Sequence, residues 1–234
     1  MNRKKFVEEL KKMNLFLTEE KLEKLRCYYE ILKEENAKYN LTRIIKEEEV
    51  YLKHFYDSLT IIKVTAIGNN NICDLGSGAG FPGLVLAICF PESTVTLIES
   101  NSKKCKFLKK VKETLSLQNV TIINARIEDY AKENREVFDI VTARAVAPLK
   151  HLLEYGIPLV KVKGYFIAMK ANIEEEIVDI EKYYTILKII EVEKITFYLP
   201  SENSLRTLLK YQKLDKTNKK YPRRYSEIKK CDIV

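Results

Sequence analysis

The chain has 234 residues, enough for one α/β domain with an extension but short for two full domains. Hydrophobic residues make up 46% of it and charged residues 32%, which is typical of a folded globular protein and excludes a disordered or fibrous one. The longest purely apolar run, residues 84–90, is far shorter than the roughly 20 residues of a membrane-spanning helix. Charged residues interrupt positions 1–17, unlike in a secretory signal, so we expect a cytoplasmic protein without a membrane partner.

Neither the cysteines nor the histidines indicate a metal site. The five cysteines are scattered and form no C-x-x-C pair, so we expect reduced thiols rather than a disulfide framework or a zinc ribbon. His54 and His151 are the two histidines, and their spacing does not suit a shared metal. We expect both to be structural.

The net charge of +8 is concentrated at the C-terminus. Residues 206–234 contain ten Lys or Arg and three acidic residues, a net charge of +7. With Tyr211, Tyr221 and Tyr225 between the cations, this tail can follow a phosphate backbone and stack on bases. The alternative is a solvated, lysine-rich terminus.

The front of the chain is predicted to be helical. Thr18 can cap a helix that runs to about residue 39, because apolar residues recur at helical spacing from Leu22 to Leu32. A second amphipathic stretch covers residues 47–63. We expect residues 1–66 to form an N-terminal helical extension on a core of residues 67–234, whose basic tail begins near residue 210.

The core alternates strands and helices. After the polar turn at residues 68–71, strands are predicted in sequence order, at residues 72–75, 95–99, 120–124, 138–142 and 165–169. Helices are predicted after the glycine-rich segment and at residues 103–115 and 149–160, and the apolar stretches 186–192 and 204–209 can complete the sheet. This alternation indicates a parallel sheet with helices on both faces and a ligand site at the carboxyl ends of the strands.

A glycine-rich loop directly follows the first strand. Gly76, Gly78 and Gly80 allow a tight turn and close approach of a ligand, and the next helix offers unpaired N–H groups to an anionic or zwitterionic group. Asp74 precedes the loop and can either hold it or meet a cofactor ammonium group. Glu99 ends the second strand, where an acid can accept hydrogen bonds from ribose hydroxyls.

The loop alone leaves two nucleotide-binding classes open. Residues 78–83 fit the dinucleotide pattern G-x-G-x-x-G, and a single match of that kind is weak. The longer pattern D-x-G-x-G-x-G from Asp74 onward favours S-adenosylmethionine.

At this point the sequence resembles the ribosomal small subunit methyltransferase G family, also called glucose-inhibited division protein B. The resemblance spans nearly the whole chain. Its marks are YNLT at 39–42, HFYDSL at 54–59, DLGSGAGFPG at 74–83, VTARAVA at 141–147 and KKYPR at 219–223. The FPG and TAR segments are the specific ones, because many methyltransferases share the glycine loop.

The resemblance implies an α/β fold of the class I S-adenosylmethionine-dependent methyltransferases: a Rossmann-like, mostly parallel seven-stranded sheet with a final antiparallel element. It implies methyl transfer to N7 of one guanine in 16S ribosomal RNA, free or in an assembling small subunit, without an obligate protein partner. By resemblance, Gly76 and Phe81 line the cofactor, Ile127 and Glu128 flank its adenine, and Arg144 lies where cofactor and target meet. Family members often have alanine at the position of Ile127, so we expect a backbone or apolar contact there.

The expected RNA contacts come from cations near the end of the sheet and in the tail: Lys170, Arg206, Lys219, Lys220, Arg223 and Arg224.

The chemistry agrees with this expectation. Guanine N7 has a free lone pair at neutral pH, so attack on the sulfonium methyl requires alignment and no general base. The fourth strand ends in TARA, not in the Asp/Asn-Pro-Pro-Tyr of exocyclic-amine methyltransferases, and no Pro-Cys offers a nucleophile for pyrimidine C5. We expect no catalytic base and no metal, and we expect Arg144 to contact guanine O6 or phosphate, because bonding N7 would block the reaction.

Two alternatives remain open at the sequence level. One is an S-adenosylmethionine methyltransferase of a small molecule or protein, for which the basic tail is incidental. The other is a non-catalytic nucleotide-sensing RNA or assembly factor. RNA-dependent, salt-sensitive activity separates the first from the RNA enzyme, and bound NAD or the absence of methyl transfer favours the second.

Overall fold

A mostly parallel sheet forms the centre of the molecule in the computed structural model, which describes residues 1–230 and 233. In the described residues the sheet has seven strands in the order β3-β2-β1-β4-β5-β7-β6. Strands β1 to β5 are parallel, and β7 pairs antiparallel with both β5 and β6. The strands are β1 (Asn71–Leu75), β2 (Thr94–Ile98), β3 (Val120–Ile123), β4 (Phe138–Arg144), β5 (Val160–Lys170), β6 (Ile189–Tyr198) and β7 (Leu205–Lys213).

This topology confirms the predicted fold class, including its antiparallel final element. The strand order reverses between β1 and β4, the position at which open α/β sheets bind their ligands. β6 differs most from its predicted position at residues 186–192. Residues 186–187 instead end a helix, Lys188 takes the left-handed conformation, and the edge strand then alternates buried and exposed residues.

Helices α1 to α4 form the N-terminal extension, and the later helices flank the sheet. They are α1 (Arg3–Lys12), α2 (Glu19–Tyr39), α3 (Glu47–Val50), α4 (Asp57–Leu59), α5 (Gly83–Cys89), α6 (Ser102–Thr114), α7 (Ile127–Glu133), α8 (Leu149–Gly156), α9 (Glu181–Leu187) and α10 (Tyr225–Ile228). The predicted cap of α2 is present, because the Thr18 hydroxyl accepts a hydrogen bond from Lys21 N–H.

The second predicted helix, residues 47–63, is not regular. Between α3 and α4 the backbone widens into a π-helix at Tyr51–Tyr56, and after α4 it tightens into a 3₁₀-helix at Thr60–Lys63. A π-helical turn adds a residue to the turn and redirects the side chains, and such turns are frequent at functional sites. Four polar side chains of this segment are buried: His54, Asp57, Ser58 and Thr60.

Two apolar cores lie on the two faces of the sheet. One joins α5 and α6 to the N-terminal helices, so that Phe6, Tyr28 and Phe55 belong to the same cluster as Leu84 and Leu97. The other lies under α7, α8 and α9 on the opposite face. The N-terminal helices therefore share a core with one face of the sheet.

Cys27, Cys73, Cys89 and Cys105 are free thiols, whereas Cys231 lies outside the described residues. Across residues 1–230 and 233, no helix is long and apolar enough to cross a membrane.

Candidate active site

A cavity of about 670 Å³ opens at the carboxyl ends of the central strands, and we call it the main cavity. The glycine loop and the end of β2 form part of its wall. Residues 125–128 after β3 and residues 144–148 after β4 form another part, and His54 of the N-terminal extension also lines it. Its size is ordinary for a cofactor site.

The glycine loop is shaped by backbone conformations that favour glycine. Gly76 has φ +64°, and a Cβ on it would lie 2.7 Å from Val146 Cγ1, too close for an ordinary contact. Gly78 has φ +57°, and its N–H donates to Glu99 Oε2 at 2.9 Å. The loop is therefore fixed against the ends of β2 and β4.

Asp74 supports the loop from behind. It is fully buried, does not line the main cavity, and accepts a hydrogen bond from Gly83 N–H at 3.0 Å through Oδ2. Its Oδ1 has no hydrogen-bond partner among the described residues. Burial raises the pKa of this carboxyl to about 7. Of the two roles expected for Asp74, this geometry favours holding the loop, and a direct cofactor contact stays a prediction.

Gly80 also lies outside the wall of the main cavity. A Cβ on it would come within 2.6 Å of the Tyr28 hydroxyl and 2.4 Å of Leu84 Cδ1. The Tyr28 hydroxyl donates to the carbonyl of Ala79, and its ring stacks on Phe81. Gly80 thus lets helix α2 approach the back of the loop, and its expected cofactor contact stays a prediction.

The other predicted cofactor residues line the main cavity: Gly76, Gly78, Phe81, Glu99, Ile127, Glu128 and Arg144. Glu99 is nearly buried, and its Oε1 accepts from Asn101 N–H at 2.7 Å. A carboxylate has about four lone-pair positions, so Glu99 retains acceptor capacity toward the cavity.

Arg144 is held by groups from the N-terminal extension. Its Nη1 donates to the Lys53 carbonyl at 2.9 Å and to Asp57 Oδ2 at 3.1 Å, and its Nη2 lies 3.2 Å from His54 Nδ1. The guanidinium carbon lies 5.3 Å from the Phe81 ring centroid. Four contacts therefore fix one side chain at the end of β4.

His54 is a site residue that the sequence analysis assigned to structure alone. Its ring stacks on Phe81 with centroids 4.2 Å apart. Nδ1 lies 3.2 Å from both Arg144 Nη2 and the Lys53 carbonyl, and Nε2 lies 3.1 Å from Thr42 Oγ1, so both ring nitrogens have polar partners. Burial, followed by the charge of Arg144, lowers the pKa of His54 to about 3, so the ring is neutral at pH 7.

A second cavity of about 420 Å³ adjoins the main one, and His54, Arg144 and Ala145 line both. Its other walls come from residues 169–172 after β5 and from Arg206 of β7. Asp57 lies between the two arginines: its Oδ1 accepts from Arg206 Nε at 3.0 Å while Oδ2 accepts from Arg144. No sequence pattern indicated this pairing, because Asp57 and Arg206 are far apart in the chain.

The predicted RNA-binding cations divide into two groups. Lys170 is buried and lies 2.6 Å from Glu176, Arg206 is bound to Asp57, and Arg223 is bound to Glu154 at 2.7 Å. These three were predicted as phosphate contacts, and in the structure each forms an intramolecular ion pair, so that a contact with RNA stays a prediction. Lys219, Lys220 and Arg224 are exposed.

The basic tail reaches the main cavity. Tyr225 and Lys229 line it beside Ile127 and Glu128. From the sequence, RNA is the expected partner of this tail, and no cofactor contact is expected in it.

Comparison with known sequences decides the family. A sequence model described as rRNA small subunit methyltransferase G matches residues 21–205. The chain belongs to the rRNA small subunit methyltransferase G family. This confirms the resemblance found in the sequence.

Relatives in the rRNA small subunit methyltransferase G family match over nearly their full length. The protein of that name from Bacillus subtilis (strain 168) is 45% identical over 229 residues, which cover 96% of this chain and 95% of the relative. The one from Lactobacillus helveticus (strain DPC 4571) is 44% identical and covers 95% of both chains. The one from Mycoplasma capricolum is 45% identical over 220 residues, 93% of this chain and 94% of the relative.

Solved structures support the fold. TYW2 of M. jannaschii in complex with AdoMet has a TM-score of 0.56 at 17% identity, covering 74% of this chain and 80% of that one. A precorrin-6y C5,15-methyltransferase of Geobacter metallireducens has a TM-score of 0.54 at 13% identity, covering 76% and 96%. At such low identity these structures support the fold of this chain and say nothing about its substrate.

Proposed function

We propose that this chain transfers a methyl group from S-adenosylmethionine to N7 of a guanine in 16S ribosomal RNA and releases S-adenosylhomocysteine. The observation that supports this best is the shared wall of the two cavities, at Arg144 and His54, at the carboxyl end of β4. One cavity suits a cofactor and the other a target base. The proposed substrate is the free RNA or an assembling small subunit in the cytoplasm.

The main cavity fits the cofactor chemically. Glu99 has acceptor capacity for ribose hydroxyls, and Ile127 offers an apolar surface next to the acid Glu128 for adenine. A Cβ at Gly78 would meet only the Gly76 carbonyl at 3.8 Å, so the loop leaves open space on that side. When bound, the cofactor supplies an electrophilic methyl group on a sulfonium sulfur.

In this proposal the second cavity receives the guanine. Arg144 and Arg206 face it as a pair fixed by one carboxylate, Asp57. Guanidinium groups donate to guanine O6 or to phosphate, so they can orient the base without occupying N7. A base enters such a pocket only after leaving its stack, which suits a single-stranded loop.

The residues at the shared wall align the reactants and need not move a proton. His54 is neutral, and both of its ring nitrogens have polar partners: Arg144 and the Lys53 carbonyl at Nδ1, and Thr42 at Nε2. N7 of guanine attacks through its own lone pair, and exclusion of water with correct alignment provides the acceleration. Exposed cations of the tail, Lys219, Lys220 and Arg224, would contact the RNA backbone.

The test is transfer of labelled methyl from S-adenosylmethionine to small-subunit RNA or particles that lack the modification, followed by mapping of the labelled nucleotide. We expect a single labelled guanine that is alkali-labile, as N7-methylguanine is. Absence of label on RNA, with label on a small molecule or protein, would contradict the proposal.

A variant separates base positioning from cofactor binding. We expect Arg206→Ala to lower methyl transfer strongly and to leave S-adenosylhomocysteine affinity unchanged, because Arg206 lines the second cavity and not the main one. An equal loss of methyl transfer and of S-adenosylhomocysteine affinity would contradict the binding of the target guanine in the second cavity.

A further inference from the structure

The C-terminal segment of residues 217–230, called here the strap, is bound to the body of the protein by buried groups. The guanidinium of Arg135 donates to the carbonyls of Tyr221 at 2.6 Å, Thr217 at 2.7 Å and Asn218 at 3.3 Å. Tyr221 is 1% exposed and belongs to the core on the α8 face. Three carbonyls on one guanidinium fix the start of the strap.

A desolvated ion pair fixes its middle. Glu154 of α8 is fully buried and accepts from Arg223 three times: from Nε at 2.8 Å, from Nη2 at 2.7 Å and from the backbone N–H at 3.0 Å. An Arg–carboxylate pair of this geometry is specific in direction as well as in charge. Ile228 is buried one turn later. The strap is therefore built into the fold, although its sequence suggests a solvated tail.

Between these anchors the strap exposes an aromatic ring at the mouth of the main cavity. Tyr225 lines that cavity and is 40% exposed. The Arg126 guanidinium carbon lies 5.6 Å from its ring centroid, and the Lys229 ammonium lies 4.9 Å from it. Aromatic rings and guanidinium planes are the surfaces on which nucleobases stack.

The residues around Tyr225 indicate which part of a bound ligand would contact its ring. Tyr225 borders the same cavity as Ile127, Glu128 and Glu99, which bring an apolar side chain and two carboxylates. Carboxylates accept hydrogen bonds from the hydroxyl and amino groups that a purine nucleoside presents, and three cations, Lys104, Arg126 and Lys229, line the same cavity. The more distant tail cations Lys219 and Lys220 remain exposed for phosphate.

We propose that the strap is the cover of the adenosine end of the cofactor site, and that Tyr225 is the cofactor-binding residue it contributes. The identity of the ligand rests on the proposed function. The basic tail then has two roles: Tyr225 covers the cofactor, and the exposed lysines contact RNA. Since Arg223 anchors the ring through Glu154, the cover keeps its position before RNA binds.

The test is calorimetric titration of the full-length chain with S-adenosylhomocysteine. Because base–aromatic stacking is worth about 1–3 kcal/mol, we expect Tyr225→Ala to weaken binding by about 5-fold to 150-fold, and Tyr225→Phe to retain nearly full affinity. Lys216→Ala is the matched control from the same part of the chain, because Lys216 is exposed and does not line the main cavity. Unchanged affinity of Tyr225→Ala would overturn the proposal.

A second measurement does not depend on affinity. The chain contains no tryptophan, so Tyr225→Trp introduces a single fluorescent reporter. We expect its emission to change on addition of S-adenosylhomocysteine and to saturate with the calorimetric affinity. Phe16→Trp, at a position 70% exposed and away from the cavity wall, should show no change. An unresponsive Tyr225→Trp chain that still binds would overturn the proposal.

The outcomes separate this proposal from the proposed function. A wild-type chain that does not bind S-adenosylhomocysteine would overturn both. Binding by the wild type with equal affinity in Tyr225→Ala, and a loss confined to RNA affinity, would overturn the cover alone and make Tyr225 part of the RNA surface.

Discussion

Asp57 illustrates how one buried carboxylate organises residues from opposite ends of the chain. It accepts from Arg144 at 3.1 Å and from Arg206 at 3.0 Å, and its side chain is 5% exposed. We expect Asp57→Ala to lower the free energy of unfolding by about 3 kcal/mol, because it leaves two partly buried guanidinium groups side by side without an anion. Urea unfolding at neutral pH measures the loss.

Glu49→Ala is the comparison for that variant. It removes an exposed partner of Lys53, with the Glu49 side chain 41% exposed, and should cost no more than about 1 kcal/mol. Equal losses in the two variants would show that Asp57 is an ordinary surface charge.

His54 gives the protein a predictable pH dependence. Its pKa is lowered from 6.5 to about 3 in the folded state, so between these values the unfolded chain binds a proton that the folded chain does not. Stability from this group is therefore complete above pH 6.5 and is lost as the pH falls toward 3. At about 1.4 kcal/mol per pH unit, we expect His54 to contribute a loss of about 2 kcal/mol between pH 6.5 and 5, while Asp74, whose pKa is raised to about 7, contributes in the opposite direction.

His54→Gln tests that assignment. Glutamine can still accept from Arg144 and donate to Thr42 but does not titrate. We expect its unfolding free energy to be lower than that of the wild type at pH 7, because the stacking on Phe81 is lost, and this difference to shrink by about 2 kcal/mol between pH 6.5 and 5. The same pH slope as the wild type would contradict the shifted pKa of His54.

At the scale of elements, the glycine loop depends on the loop after β4. A side chain at Gly76 would have φ +64° and would meet Val146 at 2.7 Å, so Gly76→Asp is expected to abolish S-adenosylhomocysteine binding in calorimetry. Gly68→Asp is the matched control in the turn before β1, where nothing lies within 4 Å of the added Cβ, and binding should persist. Retained binding in Gly76→Asp would count against the assigned site.

Two elements acquire their roles from irregular backbone. The π-helix Tyr51–Tyr56 contains His54, and the four-residue helix α10 begins with Tyr225. Hydrophobic periodicity predicts regular helices, and neither segment is regular or long enough to be found in that way. The sequence analysis accordingly predicted one amphipathic helix for residues 47–63 and a basic tail for the C-terminus.

At the scale of the whole molecule, we propose that the N-terminal extension, residues 1–66, is not an independent domain. Tyr28 of α2 donates to the Ala79 carbonyl in the glycine loop, and its ring stacks on Phe81. The N-terminal helices also share one apolar cluster with α5, α6 and the sheet. We expect residues 67–234 expressed alone to lack a cooperative thermal transition, because a large apolar face becomes exposed.

Circular dichroism melting and size-exclusion chromatography of the two forms provide the measurement. The full-length chain should melt cooperatively as a single unit. A monomeric fragment 67–234 with its own cooperative transition would contradict the shared core.

The sequence by itself determined the fold class, the five parallel strands and the glycine loop, because these depend on local patterns: apolar runs, turn residues and a fixed spacing of glycines. It also determined the family, since segments such as FPG at 81–83 and TAR at 142–144 are specific. Seven predicted cofactor residues came together in one cavity because they lie at the carboxyl ends of neighbouring parallel strands.

Tertiary structure alone decided which charges are paired within the protein. Lys170, Arg206 and Arg223 look like unpaired surface cations in the sequence, yet each is paired with an acid brought to it by the fold. It likewise decided that Asp74 accepts from the backbone behind the loop and that Tyr225 lines the main cavity. Such pairings join residues far apart in the chain, and their energies depend on burial, which local sequence patterns do not specify.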